Sequence, residues 1–517
     1  MTDFESEREV IEGPLTKRKF TDIFCCLIWF AFWILIAVIA IISYTKGDLS
    51  RVAQPYDSDG FPCGKAEREE FNYLFIQNPI SSKYNENMVC VKECPQSKDE
   101  YVECYPNTDI KHCSDLKPYK TYGFASRLCI PTSDLTVESV KERINIGYFA
   151  EVVEDIKDAW PIFLMILVIS LIFCFVWYYL VQCCAGFMIT IMLLGSLAAL
   201  ISFGVFNWLH YKELTENSTA EVDVKNAESY KNTAIVFWVL AGVFLLLILC
   251  LLSRIKLAVK MIRAAADFIT DEKIVLFAPI LFSFMTFAFI IWWIITFAFT
   301  FSNGTLRYDE GDIFGDMVWN DQQKAFVYIM IFALLWAVSF NLSANMFVVA
   351  TMTAGWYFGR YEGWGIGLCK ALGWAYTYHV GSLAFGSFLI ALLWFIQLIL
   401  NYIYQKTKEI DDDNFMIKCA MYFVACFERF MRFLNKHAFI EVVLRNMSYC
   451  GAAAKCVEVL TTNFLRFAVL SGLVDLFLFL GTIMITISIT MFGYLLLQVY
   501  GSTYNVVFET IGPLVVS

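Results

Sequence analysis

The sequence holds no glycine-rich nucleotide loop, no group of residues at metal-ligand spacing and no nucleophile–base motif. Those absences argue against an enzyme and against a resident cofactor or metal. Lysine and arginine rarely cluster and the formal net charge is −10, so no nucleic-acid partner is expected. The acidic excess is spread over polar loops and identifies no partner by itself. The first apolar run, Ile23–Tyr44, has no small-residue cleavage site and is too long for a signal core. No internal repeat stands out, and no polar stretch beyond residues 45–158 is long enough for a soluble domain.

What is abundant is apolar. Hydrophobic residues make up 58% of the chain and the mean hydropathy is +0.58. Several runs exceed the roughly 18 to 20 residues that cross a hydrocarbon core. The expected fold is an all-α polytopic membrane protein, with about nine to ten transmembrane helices and a disulfide-rich extracellular loop. Lys17, Arg18 and Lys19 precede the first run and hold that side in the cytosol. The chain then divides into a cytosolic tail (1–21), a first helix (22–44) and an external loop (45–158) that closes on an amphipathic helix, Tyr148 to Asp158. Helices two to seven follow over 159–404, and a short link at Gln182–Gly186 predicts a hairpin between Trp160–Leu180 and Phe187–Leu209. Lys418, Glu428, Arg429 and Arg432 make 405–467 a partly interfacial segment with one crossing, and a last helix and tail occupy 468–517.

Six of the 17 cysteines, Cys63, Cys90, Cys94, Cys104, Cys113 and Cys129, fall in the 45–158 loop. An even count in one polar loop predicts three disulfides on an oxidising side, with the pairing open. Cys90 and Cys94 have half a zinc-like spacing, but no histidine pair follows them. Asn217-Ser218-Thr219 and Asn303-Gly304-Thr305 are glycosylation acceptors on the same expected side as the six cysteines. Between His379 and Tyr402 the chain reads small, then bulky: Gly381, Ser382, Ala384, Gly386 and Ser387 give way to Leu, Ile, Trp and Phe. Small residues let helices approach closely in a bilayer, so this stretch is a packing hub or the wall of a solute path.

These segments resemble one known family. GDLSRVAQPYDSDGFPCG (Gly47–Gly64), TDIFCC (Thr21–Cys26), the basic segment Arg254–Arg263, GSLAFGS (Gly381–Ser387) and RFLNKHAFIEVVLRNMSYC (Arg432–Cys450) are similar to the choline transporter-like solute carriers, in order along the chain. The resemblance implies about ten spans, a cytosolic N-terminus, a glycosylated first loop, and movement of choline or a related organic cation by a facilitative or proton-coupled carrier. It also implies a further helix beyond Ser517, so a shortened C-terminus is expected. The bilayer is the other expected partner, and the plasma membrane the expected site, with an organelle membrane as alternative. A scaffold or surface receptor acting through the disulfide loop, or a lipid-handling or channel-like protein, are the competing readings.

Choline's quaternary nitrogen carries no N–H, so aromatic faces, carbonyls and carboxylates are what can hold it. Trp292 and Trp293 lie deep in a span, and Trp336 is followed by Asn341 and Asn345 within the same run. Ser382 offers a hydroxyl, and Asp475 is a membrane carboxylate without an evident local partner. These seven are the substrate-binding candidates, and His379 is the proton-coupling candidate. Glu441 and Arg445, four residues apart, are expected to neutralise each other.

Overall fold

The computed structural model describes residue 14 and residues 18–48, 55–77, 87–98, 101–107, 110–124, 127–131, 147–217, 221–307, 316–359, 365–408, 415–462 and 464–500. Ser218 and Thr219 of the first acceptor and the 501–517 tail fall outside these. The chain forms two compact units, Met1–Lys157 with Phe277–Cys456 and Asp158–Leu276 with Val457–Ser517.

The first unit opens on α1 (Ile23–Lys46). The chain then forms a small disulfide-bonded domain around β1 (Tyr73–Ile76), β2 (Met88–Val91), β3 (Thr121–Phe124) and β4 (Leu128–Pro131). The sheet order is β2-β1-β4-β3, antiparallel except for the central β1–β4 pair, where Leu74 opposes Leu128. The all-α expectation thus has an appended β element. Its strands are only four residues each, too short for alternation to stand out against the loop. The three bonds are Cys63–Cys90, Cys94–Cys129 and Cys104–Cys113. One buried ion pair, Arg68 to Asp57 at 3.0 Å, adds to the core. The Arg68 guanidinium sits over the rings of Phe61 and Tyr105.

After a 3-10 turn at Lys273–Leu276, α4 (Phe277–Phe301) begins with Pro279 in its first turn, where no helix hydrogen bond is lost. The hairpin β5 (Thr305–Arg307) and β6 (Asp316–Val318) leads to α5 (Asp321–Gly359). Asn320 and Gln323 form a reciprocal cap there: each backbone N–H donates to the other's side-chain oxygen, at 2.9 and 2.8 Å. A short α6 (Leu368–Gly373) passes through a π turn, Trp374–Tyr378, into α7 (Val380–Lys408). Next comes α8 (Phe415–Arg445), ended by Asn446 at φ 52°, a left-handed position that asparagine tolerates. The bundle is built by α5 packing on α4, α7 and α8, and by α1 packing on α7 and α4. Polar pairs join α1 to α4: Ser43 and Thr300 hydroxyls lie 2.9 Å apart and Tyr44 and Thr296 hydroxyls 2.5 Å apart.

The second unit holds most of α2 (Gly147–Asn217) and α3 (Glu221–Asp271), together with α10 (Phe464–Tyr500); α9 (Tyr449–Thr462) runs across the division. Met192, Leu193, Ile262 and Phe477 form its core, with Trp177 against it. Here the hairpin expected at Gln182–Gly186 is corrected. That segment is helical within an uninterrupted 71-residue helix. Its sequence, QCCAG, contains no proline and a single glycine, so nothing in it forces the backbone out of the helical region.

Among the described residues, seven helices are long and apolar enough to cross a membrane, and Leu164–Leu180 is a shorter apolar stretch. The protein is a multi-pass α-helical membrane protein. The span count of nine to ten is not established by these helices. Neither α8 nor α9 is among the seven: charges interrupt the apolar run of α8, and α9 has only 14 residues.

Candidate functional site

The site is built from α5, α7 and α8, and begins with the small residues of α7. A Cβ on Gly386 would lie 2.6 Å from Asn435 Oδ1 and 2.8 Å from both Phe439 and Tyr449. A Cβ on Gly381 would fall 2.1 Å from the Asp22 carbonyl oxygen. Only glycine permits these approaches. Asn435 Nδ2 donates to the Gly386 carbonyl at 2.8 Å, clamping α8 to α7. Trp336 Nε1 reaches the Ala384 carbonyl and the Ser387 hydroxyl at 3.2 Å each, and the Ser339 hydroxyl donates to the Ser387 carbonyl at 3.0 Å.

At the N-terminal end of α7, residues 18–22 are fastened by a polar knot. The Asp22 carboxylate accepts from the Ser382 hydroxyl at 2.6 Å and the Tyr449 N–H at 2.7 Å. The Thr21 hydroxyl lies 2.9 Å from His379 Nδ1 and 2.8 Å from Ser382 Oγ. The Arg18 guanidinium donates to the carbonyls of Val442 and Val443, at 3.2 and 2.6 Å, and stacks 3.9 Å over Trp374. These are the last carbonyls of α8, where a cation is favoured. Burial lowers the Arg18 pKa to about 10, which leaves it charged at neutral pH.

Beside the glycine contacts, α5, α7 and α8 line a partly open cavity of about 730 Å³, within the range of small-molecule sites. Trp394, Tyr357, Phe358 and Phe439 supply its rings, and Ser339, Ser343, Asn345 and Asn435 its neutral polar groups. Arg432 and Lys436 also lie on its wall. The Oδ1 atoms of Asn345 and Asn435 are buried with no hydrogen-bond partner. A buried carbonyl left unmatched costs roughly 1–3 kcal/mol, and the Asn435 oxygen is turned toward Gly386 in the helix contact.

Of the sequence candidates, Asn345 is on this wall. Trp336 instead joins a ring cluster with Trp29, Phe32, Phe332 and Phe388, at centroid distances of 4.8, 4.7, 5.8 and 5.2 Å. Trp292 and Trp293 pack against the Ile36, Ile39 and Met330 cluster, and Trp293 donates to the Met330 carbonyl at 2.8 Å. Asn341 donates to the Thr286 hydroxyl at 3.0 Å. Ser382 and His379 are fully buried in the knot. Asp475 belongs to the second unit, on an exposed face of α10. Asn303 follows α4, and its carbonyl accepts from Gln323 Nε2 at 2.6 Å.

Sequence reasoning did not single out Trp394, Asn435 or the Glu428–Arg432 pair as ligands. The signal was present in spacing: Glu428, Arg432, Asn435 and Phe439 recur at intervals of four, three and four, a single stripe of α8. From this stripe Glu428 and Asn435 bond to α7, through Trp394 Nε1 and the Gly386 carbonyl.

A family model described as a plasma-membrane choline transporter matches residues 235–517. The chain belongs to this family. The matched region contains every helix of the cavity and leaves out the disulfide-bonded domain. Similarity to individual relatives extends further. Choline transporter-like protein 2 of Dictyostelium discoideum is 26% identical over 93% of this chain and 85% of its own length. Choline transporter-like 1 of Aedes aegypti is 25% identical over 96% of this chain and 84% of its own. Choline transporter-like protein 4 of Homo sapiens is 22% identical, covering 92% and 82% respectively.

Proposed function

We propose that this protein carries choline or a related organic cation across the membrane, with the α5–α7–α8 cavity as the solute site. The observation that carries this reading is a cavity lined by the rings of Trp394, Tyr357, Phe358 and Phe439 together with neutral polar side chains. A quaternary ammonium offers no N–H, but its positive surface suits ring faces and carbonyl oxygens. Each good ring contact contributes roughly 0.5–2 kcal/mol. Two or three make a site that binds and still releases.

In the proposed topology the Lys17–Lys19 end is cytosolic and the disulfide-bonded domain is external. The cavity then lies in the cytosolic half of α5 and α8, and the residue 18–22 knot sits at its cytosolic end. The Asn303 acceptor triplet is external in this orientation. Inward movement of a monovalent cation gains about 2.3 kcal/mol per 100 mV of inside-negative potential. About 60 mV therefore supports roughly tenfold accumulation. A facilitative carrier is sufficient on energetic grounds, and proton coupling is the alternative that experiment separates.

The test is uptake of labelled choline by purified protein in proteoliposomes, under an imposed potential, a pH gradient, both or neither. Facilitative transport predicts uptake that follows potential and ignores the pH gradient at fixed potential. Asn345→Leu, which replaces a polar side chain of the wall by an apolar one of similar size, is expected to raise KM several-fold. No uptake under any gradient excludes the choline-carrier reading.

A further inference from the structure

Behind the cavity wall is an ion pair whose two halves sit in different environments. Glu428 is almost wholly buried, with 9% of its side chain exposed, whereas its partner Arg432 is 57% exposed. The carboxylate accepts from Arg432 Nε at 2.9 Å and from Trp394 Nε1 at 3.0 Å, with a second close contact from Arg432 Nη2. The Arg432 guanidinium lies 5.6 Å from the centre of the Trp394 ring. Both Trp394 and Arg432 face the cavity.

A carboxylate and an aromatic face are what an organic cation needs, and here a cation of the protein already holds both. We propose that Arg432 is a resident competitor: the transported cation displaces its guanidinium from Glu428 and Trp394, and the guanidinium returns when the solute leaves. This inference rests on the carrier reading above and assigns it a specificity device.

Helix spacing alone does not carry the argument. Glu441 and Arg445, on the same helix at the same spacing, also pair at 2.8 Å, but their side chains are 16% and 14% exposed. That pair is enclosed on both sides. In the Glu428 pair only the cation is free to leave. Breaking a buried pair by removing one partner strands the other charge, a strongly unfavourable state. Glu428 therefore accepts a replacement for Arg432 only if that replacement is positive. A neutral solute of the same shape gains nothing by entering. When Arg432 swings out, the Trp394 N–H still holds the carboxylate in place. Lys436 is the other cation on this wall, and the test removes it as well.

The experiment measures KM and kcat for labelled choline in proteoliposomes containing wild type, Arg432→Gln, Arg432→Lys, Glu428→Gln, and Arg432→Gln combined with Lys436→Gln or with Glu428→Gln. Removing the competitor is expected to lower KM at least about fivefold, because the stranded Glu428 carboxylate then gains from any cation that enters. Turnover should fall, because no internal cation drives the solute off. Arg432→Lys should restore KM toward wild type. In the Glu428→Gln background, Arg432→Gln should no longer lower KM, since the prize of the competition is gone. As a measurement independent of variant folding, methylguanidinium should inhibit wild-type uptake competitively with choline. Unchanged or raised KM in Arg432→Gln with and without Lys436→Gln, or non-competitive inhibition by methylguanidinium, overturns the inference while wild-type transport stands. Absence of wild-type uptake overturns the carrier reading, and this inference with it.

Discussion

Gly386→Ala tests whether close approach of α7 and α8 holds the site together. The added methyl would sit 2.6 Å from Asn435 Oδ1 and 2.8 Å from the rings of Phe439 and Tyr449. Both rings are buried, at 0% and 2% exposed, so neither has open space to move into. Overpacking of this kind costs roughly 1–3 kcal/mol. If Asn435 yields instead, its 2.8 Å bond to the Gly386 carbonyl is lost, leaving a buried group unmatched at about 1–3 kcal/mol. By either route the destabilisation is roughly 1–3 kcal/mol. Gly373→Ala is the matched control. Its backbone is helical, at φ −56° and ψ −44°, and its added methyl meets nothing within 4 Å. Alanine there should be neutral or stabilising by up to about 1 kcal/mol. Melting of purified protein in detergent, followed by tryptophan fluorescence, reads both. Gly386→Ala should melt several degrees lower and lose choline uptake, while Gly373→Ala should match or exceed wild type. If Gly386→Ala melts with wild type, α7 and α8 are not in the contact described, and the cavity they line falls with it.

Other perturbations probe separate parts of the molecule. Loop-closure entropy ranks the disulfides. Replacing both Cys94 and Cys129 by Ser opens a 35-residue separation and should cost about 3.8 kcal/mol, against about 2.6 kcal/mol for the 9-residue Cys104–Cys113 pair. Surface labelling of intact cells should show the greater loss of mature protein for the first pair; the reverse order would contradict the pairing. Arg68→Gln strands the carboxylate of Asp57, which is 0% exposed, at roughly 3–5 kcal/mol; retained conformational-antibody binding at wild-type level would contradict a buried pair. Arg18→Gln removes two carbonyl contacts and the Trp374 stack. It should expose residues 18–22 to protease, and unchanged cleavage kinetics would show that Arg18 does not fasten the strap.

The residues legible from sequence were those whose role follows from local chemistry. Apolar runs such as Ile23–Tyr44 read as membrane helices because no other environment suits them. Six cysteines in one polar loop announced disulfides, but their pairing waited on strands too short to recognise. The small residues of Gly381–Ser387 announced close packing, and that is how the structure uses Gly386 and Ser387. Which helices approach there is a matter of geometry: Gly386 accommodates Asn435, Phe439 and Tyr449 from segments roughly 50 to 60 positions away.

Sequence by itself determined that the chain lives in a membrane, where its disulfide loop lies and which family it resembles, because composition, cysteine count and motif order do not depend on contacts. Tertiary structure alone decided that Trp336 packs among other rings, that Glu428 is buried against Arg432 and Trp394, and that Gln182–Gly186 stays helical. Burial and partnership belong to pairs of residues, and a carboxylate in an apolar run reads the same whether it meets lipid, water or an indole N–H across a helix interface.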